Sequence, residues 1–144
     1  MTVVGIAMVR DEDDVIETVL RHMATQVDYL MVANNRSVDG TEETILALID
    51  EGLPIALTQD DEVGYMQSEK MTGLAHHAND WIGADWIVPF DADEIWYSPR
   101  TRLADFLGEQ MPADIDIVKA PEKVLSLALH PAPSAISVSS AVKK

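Results

Sequence analysis

Three carboxylates in four residues, Asp91, Asp93 and Glu94, stand directly after the apolar run from Trp86 to Phe90, and hydrophobic residues resume at once with Ile95 and Trp96. Carboxylates at alternate positions just past a strand can hold one hard divalent cation from one side. Mg2+ or Mn2+ takes one or two such ligands and fills its remaining sites with water and phosphate oxygens. The plainer reading is a solvated acidic turn. The bulky apolar neighbours on both sides weigh against it, because they imply a partly buried loop in which unpaired carboxylates are costly. Asp91 and Asp93 are therefore candidate metal ligands.

A second cluster, Asn34-Asn-Arg-Ser-Val-Asp39-Gly-Thr41, offers amides and a carboxylate, which can read the polar edges of a base and the hydroxyls of a ribose. The same residues also make an ordinary turn and helix start, with Asp39 as N-cap and Glu42 as its reciprocal partner. A third cluster, Arg10-Asp-Glu12, joins a guanidinium able to approach a phosphate to a carboxylate able to accept from a base or ribose; alone it reads as a charged helix start. Lys70 can offset diphosphate charge if its helix enters the same rim, although a surface lysine is the plainer reading. His76 and His77 are adjacent and point about 100° apart on a helix, so they do not chelate one ion together. Trp81, Trp86 and Trp96 read as packing residues, with Trp96 the one best placed to stack on a sugar.

The elements that must position these clusters alternate in type. Val3 to Val9 is a near-continuous apolar run, the mark of a strand buried on both faces. Val15, Ile16, Val19, Leu20 and Met23 then make one apolar face of a helix, with the acids Asp11 to Asp14 expected in its first turn, where they favour the helix dipole. Tyr29 to Ala33 is a second strand. Ile45, Leu46, Leu48 and Ile49 line the buried side of a second helix, which Gly52 can close in a left-handed conformation. Pro54 to Thr58 is a third strand. A polar stretch from Gln59 to Glu69 runs into a helix carrying Met71, Leu74, Ala75 and Ala78. Trp86 to Phe90 is a fourth strand, bent near its end by Pro89, which has no ladder donor. A short helix with Leu103, Phe106 and Leu107 precedes a fifth strand, Ile115 to Lys119.

Such alternation implies right-handed crossovers and a mainly parallel sheet flanked by helices, an α/β architecture of Rossmann-like type. In such sheets ligands gather beyond the carboxyl ends of the strands. All three polar clusters fall at those ends, so residues far apart in sequence are expected on one rim. The domain is expected to span residues 1–121. Residues 122–144, rich in Ala, Ser and Pro and without clear period, read as a loosely ordered tail or a poorly packed extra element.

The bulk properties narrow the possible partners. A chain of 144 residues, 47% hydrophobic and 24% charged, suits one globular domain. Its formal net charge of −15 repels phosphate backbones, and the one basic pair, Lys143-Lys144, makes no patch; nucleic acid is not an expected partner. An anionic substrate needs a metal ion or local donors to offset the repulsion. The absence of cysteine excludes disulfides, thiol catalysis and thiolate metal sites and fits a reducing compartment. The apolar N-terminus is too short to span a membrane and has no basic flank, so no transmembrane segment is expected and the setting is expected to be cytoplasmic.

In this order and at these strand ends, the clusters resemble the nucleotide-binding half of a family 2 glycosyltransferase with the GT-A fold. Arg10-Asp-Glu12 resembles that family's Lys/Arg-Asn-Glu opening. Asn34-Asn-Arg-Ser-Val-Asp-Gly-Thr41 resembles its Asp-Asn-x-Ser-x-Asp-Gly-Thr segment, with Asn34 in place of the usual Asp. Asp85-Trp-Ile-Val-Pro-Phe-Asp-Ala-Asp-Glu94 resembles the strand leading into its Asp-x-Asp motif. The match runs from about Val3 to Pro99.

The resemblance implies a nucleotide-diphospho-sugar donor, with Glu12, Asn34 and Asn35 at the base and ribose, and Asp91 and Asp93 holding Mn2+ or Mg2+ against the diphosphate. Arg10, Asp39 and Lys70 complete the expected donor site. It further implies an inverting transfer to an acceptor hydroxyl and a chain short of the full fold, which names neither acceptor nor catalytic base. A shortened module that binds nucleotide and metal without transfer is the alternative. A nucleotidyltransferase ordinarily wants a basic, Gly-rich loop after the first strand, where this chain is acidic. A sheet edge left open would favour a homo-oligomer.

Overall fold

The computed structural model describes residues 1–62, 67–112, 114–115, 117–121 and 138–143. Strand β1 (Val3–Val9) leads into helix α1 (Ile16–Gln26), β2 (Tyr29–Asn34) into α2 (Thr41–Asp50), and β3 (Ile55–Gln59) into α3 (Gln67–His77). A π-helical turn, Ala78–Ile82, extends α3 and ends at Gly83 in the left-handed region. Strand β4 (Trp86–Pro89), helix α4 (Leu103–Glu109), β5 (Ile117–Pro121) and β6 (Val138–Lys143) follow.

The six strands form one sheet in the order β3-β2-β1-β4-β6-β5. The first four are parallel, as the alternation of strand and helix requires. Strand β6 enters antiparallel between β4 and β5, pairing Trp86 with Lys143 and Ile117 with Val142. Residues 138–143 of the tail are thus a sheet strand, while the stretch 122–137 lies outside the described residues.

Side chains alternate across the strands and divide the core in two. Val3, Ala7, Val9, Leu30, Val32 and Val88 meet Ile16, Leu20 and Met23 of α1, Ile45 and Leu48 of α2, and Leu103 and Leu107 of α4. On the other face Val4, Ile6, Met31 and Ala33 meet Leu74 and Ala78. The near-continuous apolar reading of β1 is the direct consequence of this double burial.

Four local expectations are corrected. Helix α1 begins at Ile16, so Asp11 to Asp14 precede it and Glu17 is the acid of its first turn. Gly40, not Asp39, is the N-cap residue of α2; Asp39 instead bonds from one residue further out. Leu46 points outward and is exposed, although Ile45 and Leu48 are buried as expected. Strand β5 begins two residues later than the apolar pattern suggested, at Ile117. Gly52 does close α2 region with φ +96, as its position required. Among the described residues no helix is long and apolar enough to cross a membrane.

Candidate functional site

Helices α1 and α2 follow β1 and β2 onto one face of the sheet, whereas α3 follows β3 onto the other. Neighbouring strands β2 and β3 therefore send their connections to opposite faces, the arrangement beyond whose carboxyl ends α/β sheets gather their ligands. The groups at these two strand ends are polar. Asn35 Nδ2 donates to Asp60 Oδ2 at 2.7 Å, and Lys70 Nζ lies 2.6 Å from the same oxygen. Lys70 also donates to the carbonyl of Glu62 at 2.8 Å. Burial pushes the Asp60 carboxyl up, but the hydrogen bonds from Lys70, Asn35 and the backbone outweigh it and hold the group below its ordinary value. Asp60 was not singled out in the sequence. It stands one residue past β3, at the same kind of strand end as the other clusters, and that position was the available signal.

Lys70 stands beside the end of β3, against Asp60. Its ammonium is nevertheless engaged internally by Asp60 and Glu62 rather than standing open. Asn34 is also turned inward: it is 1% exposed, its Nδ2 donates to Glu42 Oε2 at 3.0 Å and Gln59 Oε1 at 3.1 Å, and its Oδ1 accepts from Ser37 N. An Asn side chain has two amide donors, and both are used here. Asn34 thus ties β2, β3 and α2 together beneath the rim, while Asn35, one residue on, turns to Asp60 and Glu62.

The turns after β1 and β2 are fastened to each other. Asp11 N donates to Ser37 Oγ at 3.1 Å and Val38 N to Asp11 Oδ1 at 2.7 Å. Asp39 is the centre of a second set: its carboxylate accepts from Thr41 N at 3.0 Å, from Thr41 Oγ1, and from Asp13 N at 3.2 Å. The Thr41 hydroxyl bond is the main reason its carboxyl is held below the ordinary range. A Cβ on Gly40 would sit 2.7 Å from Asp13 Oδ2, so a side chain there would have to displace the Asp13 carboxylate. Thr41 Oγ1 in turn accepts from Glu12 N at 2.8 Å, which fixes the backbone of Glu12 at the rim. Arg10 is exposed, with its Nε 3.7 Å from Asp11.

Past β4 the chain turns sharply, Glu94 N donating to Asp91 O at 3.0 Å. Phe90 and Ala92 are buried while Asp91 and Asp93 are exposed, so the two apolar residues root the turn and the two carboxylates face outward. The Glu12 carboxyl is raised, first by burial and next by the charge of Asp93, with Asp14, Asp39 and Asp11 adding to it. The ends of β1 and β4 therefore share one field of concentrated negative charge. Hard carboxylate oxygens in such a field suit Mg2+ or Mn2+. No group of three or more His, Asp or Glu is arranged to hold a metal among the described residues, so a cation held by Asp91 and Asp93 must complete its shell with water or ligand oxygens.

The aromatic residues sort differently from one another. Trp96 is buried in the core, its backbone N–H directed at Met23 Sδ and its backbone carbonyl 2.9 Å from His22 Nε2; the expectation that it stacks on a sugar is corrected. Trp86 is buried as expected, whereas Trp81 is 64% exposed and stacks on His77.

No protein-family model matches the sequence, and no curated protein matches it significantly. Solved structures do share its architecture. The mannosyltransferase PcManGT from Pyrobaculum calidifontis, in complex with GDP-Man and Mn2+, superposes with a TM-score of 0.60 at 22% identity, covering 81% of this chain and 34% of that one. TarS from S. aureus (residues 1–349) gives 0.57 at 16% identity, over 76% of this chain and 31% of that one. Glucosyl-3-phosphoglycerate synthase from Mycobacterium tuberculosis, in complex with UDP, gives 0.52 at 20% identity, over 81% and 42%. The chain thus spans well under half the length of each of these structures, and what it shares with them is the GT-A fold of glycosyltransferases.

Proposed function

We propose that this chain binds a nucleotide-diphospho-sugar and acts as the donor-binding part of a glycosyltransferase that delivers the sugar to an acceptor hydroxyl. The observation that supports the reading is the placement of Glu12, Asn35 and the Asp91–Asp93 turn just past the carboxyl ends of the neighbouring parallel strands β1, β2 and β4 in a GT-A fold. PcManGT was solved with GDP-Man and Mn2+, and the mycobacterial synthase with Mn2+ and UDP, which supports the same ligand class here.

In this reading the space beyond the carboxyl ends of β2 and β3 takes the base and ribose, beside Asn35 and the Asp60–Lys70 pair. Glu12 accepts from a ribose or sugar hydroxyl. Asn34 and Asp39 act through the turns they hold. Asp91 and Asp93 hold a divalent cation, Mn2+ or Mg2+, which when bound offsets the charge growing on the diphosphate as the glycosidic bond breaks. The chain's own residues bind and orient the donor; the transfer, inverting by direct attack of the acceptor, draws its base from outside these residues. Binding of UDP or GDP in the presence of Mn2+, followed by assays of donor hydrolysis and transfer, tests the two halves of the proposal separately. Binding without turnover would leave a nucleotide-binding module.

A further inference from the structure

Both rim turns carry a non-glycine residue in the left-handed region, Asp11 and Arg36, each at φ 55°. L side chains seldom adopt this conformation, Asp and Asn more readily than most. Asp11 supports it with its own side chain, which accepts from Val38 N. Arg36 does not. Its turn is held by its neighbours, Ser37 N donating to Asn34 and Asp11 N donating to Ser37. The Arg36 side chain is exposed and forms no ion pair among the described residues. Of the other basic residues of the rim, Lys70 is committed to Asp60, while Arg10 makes only an exposed 3.7 Å contact with Asp11. In a chain with 25 acidic and 10 basic residues, an arginine at this rim left out of every ion pair among the described residues is available to a ligand anion.

Its place in the sheet says which anion. Arg36 lies two residues past β2, on the same rim, and β1 separates β2 from β4 and its carboxylate turn. Those two strand ends are two strand spacings apart, roughly 10 Å, a gap that an extended arginine side chain crosses in large part, so phosphate oxygens held at Asp91 and Asp93 come within its reach. Resting on the donor-binding reading above, we infer that Arg36 is a donor-binding residue that holds the donor's phosphate oxygens from the β2 side, opposite Asp91 and Asp93. Guanidinium suits the task because its fork matches phosphate oxygens.

The test is calorimetric titration of UDP, GDP, uridine and guanosine, with Mn2+, into the wild type and Arg36→Gly, Arg36→Asn and Arg36→Lys. Gly and Asn both accept φ 55°, so thermal melts of these variants are expected to match or exceed the wild type. The diphosphate that the wild type binds is expected to lose about ten-fold in affinity in the Gly and Asn variants and less in the Lys variant, with the matching nucleoside unchanged. An unchanged diphosphate affinity in both neutral variants overturns the inference. So does an equal loss for nucleoside and diphosphate, which marks a damaged turn. A wild type that binds no nucleotide defeats the donor-binding reading itself, whereas binding abolished by Asp91→Ala/Asp93→Ala but kept in Arg36→Gly sinks the arginine alone.

Discussion

Phe90 packs over Gly5: a Cβ on Gly5 would lie 3.1 Å from Phe90 Cε1 and 2.8 Å from Leu30 Cδ2. Phe90 N also donates to Ile6 O at 3.0 Å, so the residue immediately before Asp91 is seated from two sides by β1. The missing side chain in one strand is what sets the height of the acidic turn at the end of its neighbour. Gly5→Ala is expected to destabilise the fold by about 1–3 kcal/mol through overpacking, as read from urea melts. It is also expected to weaken metal-dependent nucleotide binding, because Phe90 cannot shift without moving Asp91. A variant that melts like the wild type and binds like it would show that the ring relaxes freely.

The Lys70–Asp60 pair is nearly enclosed, with side-chain exposures of 12% and 16%. Lys70→Met is expected to cost about 2–4 kcal/mol, since it leaves a mostly buried carboxylate with Asn35 and one backbone N–H as its remaining support. The pH dependence follows from the lowered Asp60 pKa. A depressed carboxyl adds stability that is full above its ordinary value of 3.8 and is lost as pH falls through the lower folded value. The wild type should therefore keep its advantage over Lys70→Met at neutral pH and lose it in strong acid, measured by melts across that range.

Trp96 follows the acidic turn by two residues yet serves the core. Trp96→Ala is expected to destabilise the protein by about 3–5 kcal/mol, in denaturant melts followed by circular dichroism. Trp81→Ala, which removes an exposed ring stacked on His77, is expected to change stability by about 0.5 kcal/mol or less.

The contrast between those two tryptophans shows what the sequence could convey. The parallel strands were legible because double burial leaves continuous apolar runs such as Val3 to Val9, and the rim clusters because they stand where those runs stop. Orientation at the rim was not legible. Asn34 and Asn35 are chemically identical neighbours, and the pleat alone sends one into the Glu42–Gln59 network and the other towards Asp60. The insertion of β6 beside β4 depends on pairing between Trp86 and Lys143, a partnership no local pattern in Val138 to Lys143 announces. Asp60 and Arg36 escaped notice for a related reason: an acid in a polar loop and an arginine in a turn look ordinary until their partners, or the want of one, are seen in space.

The most direct measurement is calorimetry of UDP and GDP binding, with Mn2+ and with the metal chelated, on the wild type and on Asp91→Ala/Asp93→Ala. The expected result is that one of the two nucleotides binds the wild type with Mn2+, and that chelation or the double substitution weakens it at least about ten-fold. Binding of equal strength with and without metal, unchanged in the double variant, would contradict the assignment of Asp91 and Asp93 as the metal end of a nucleotide-sugar site.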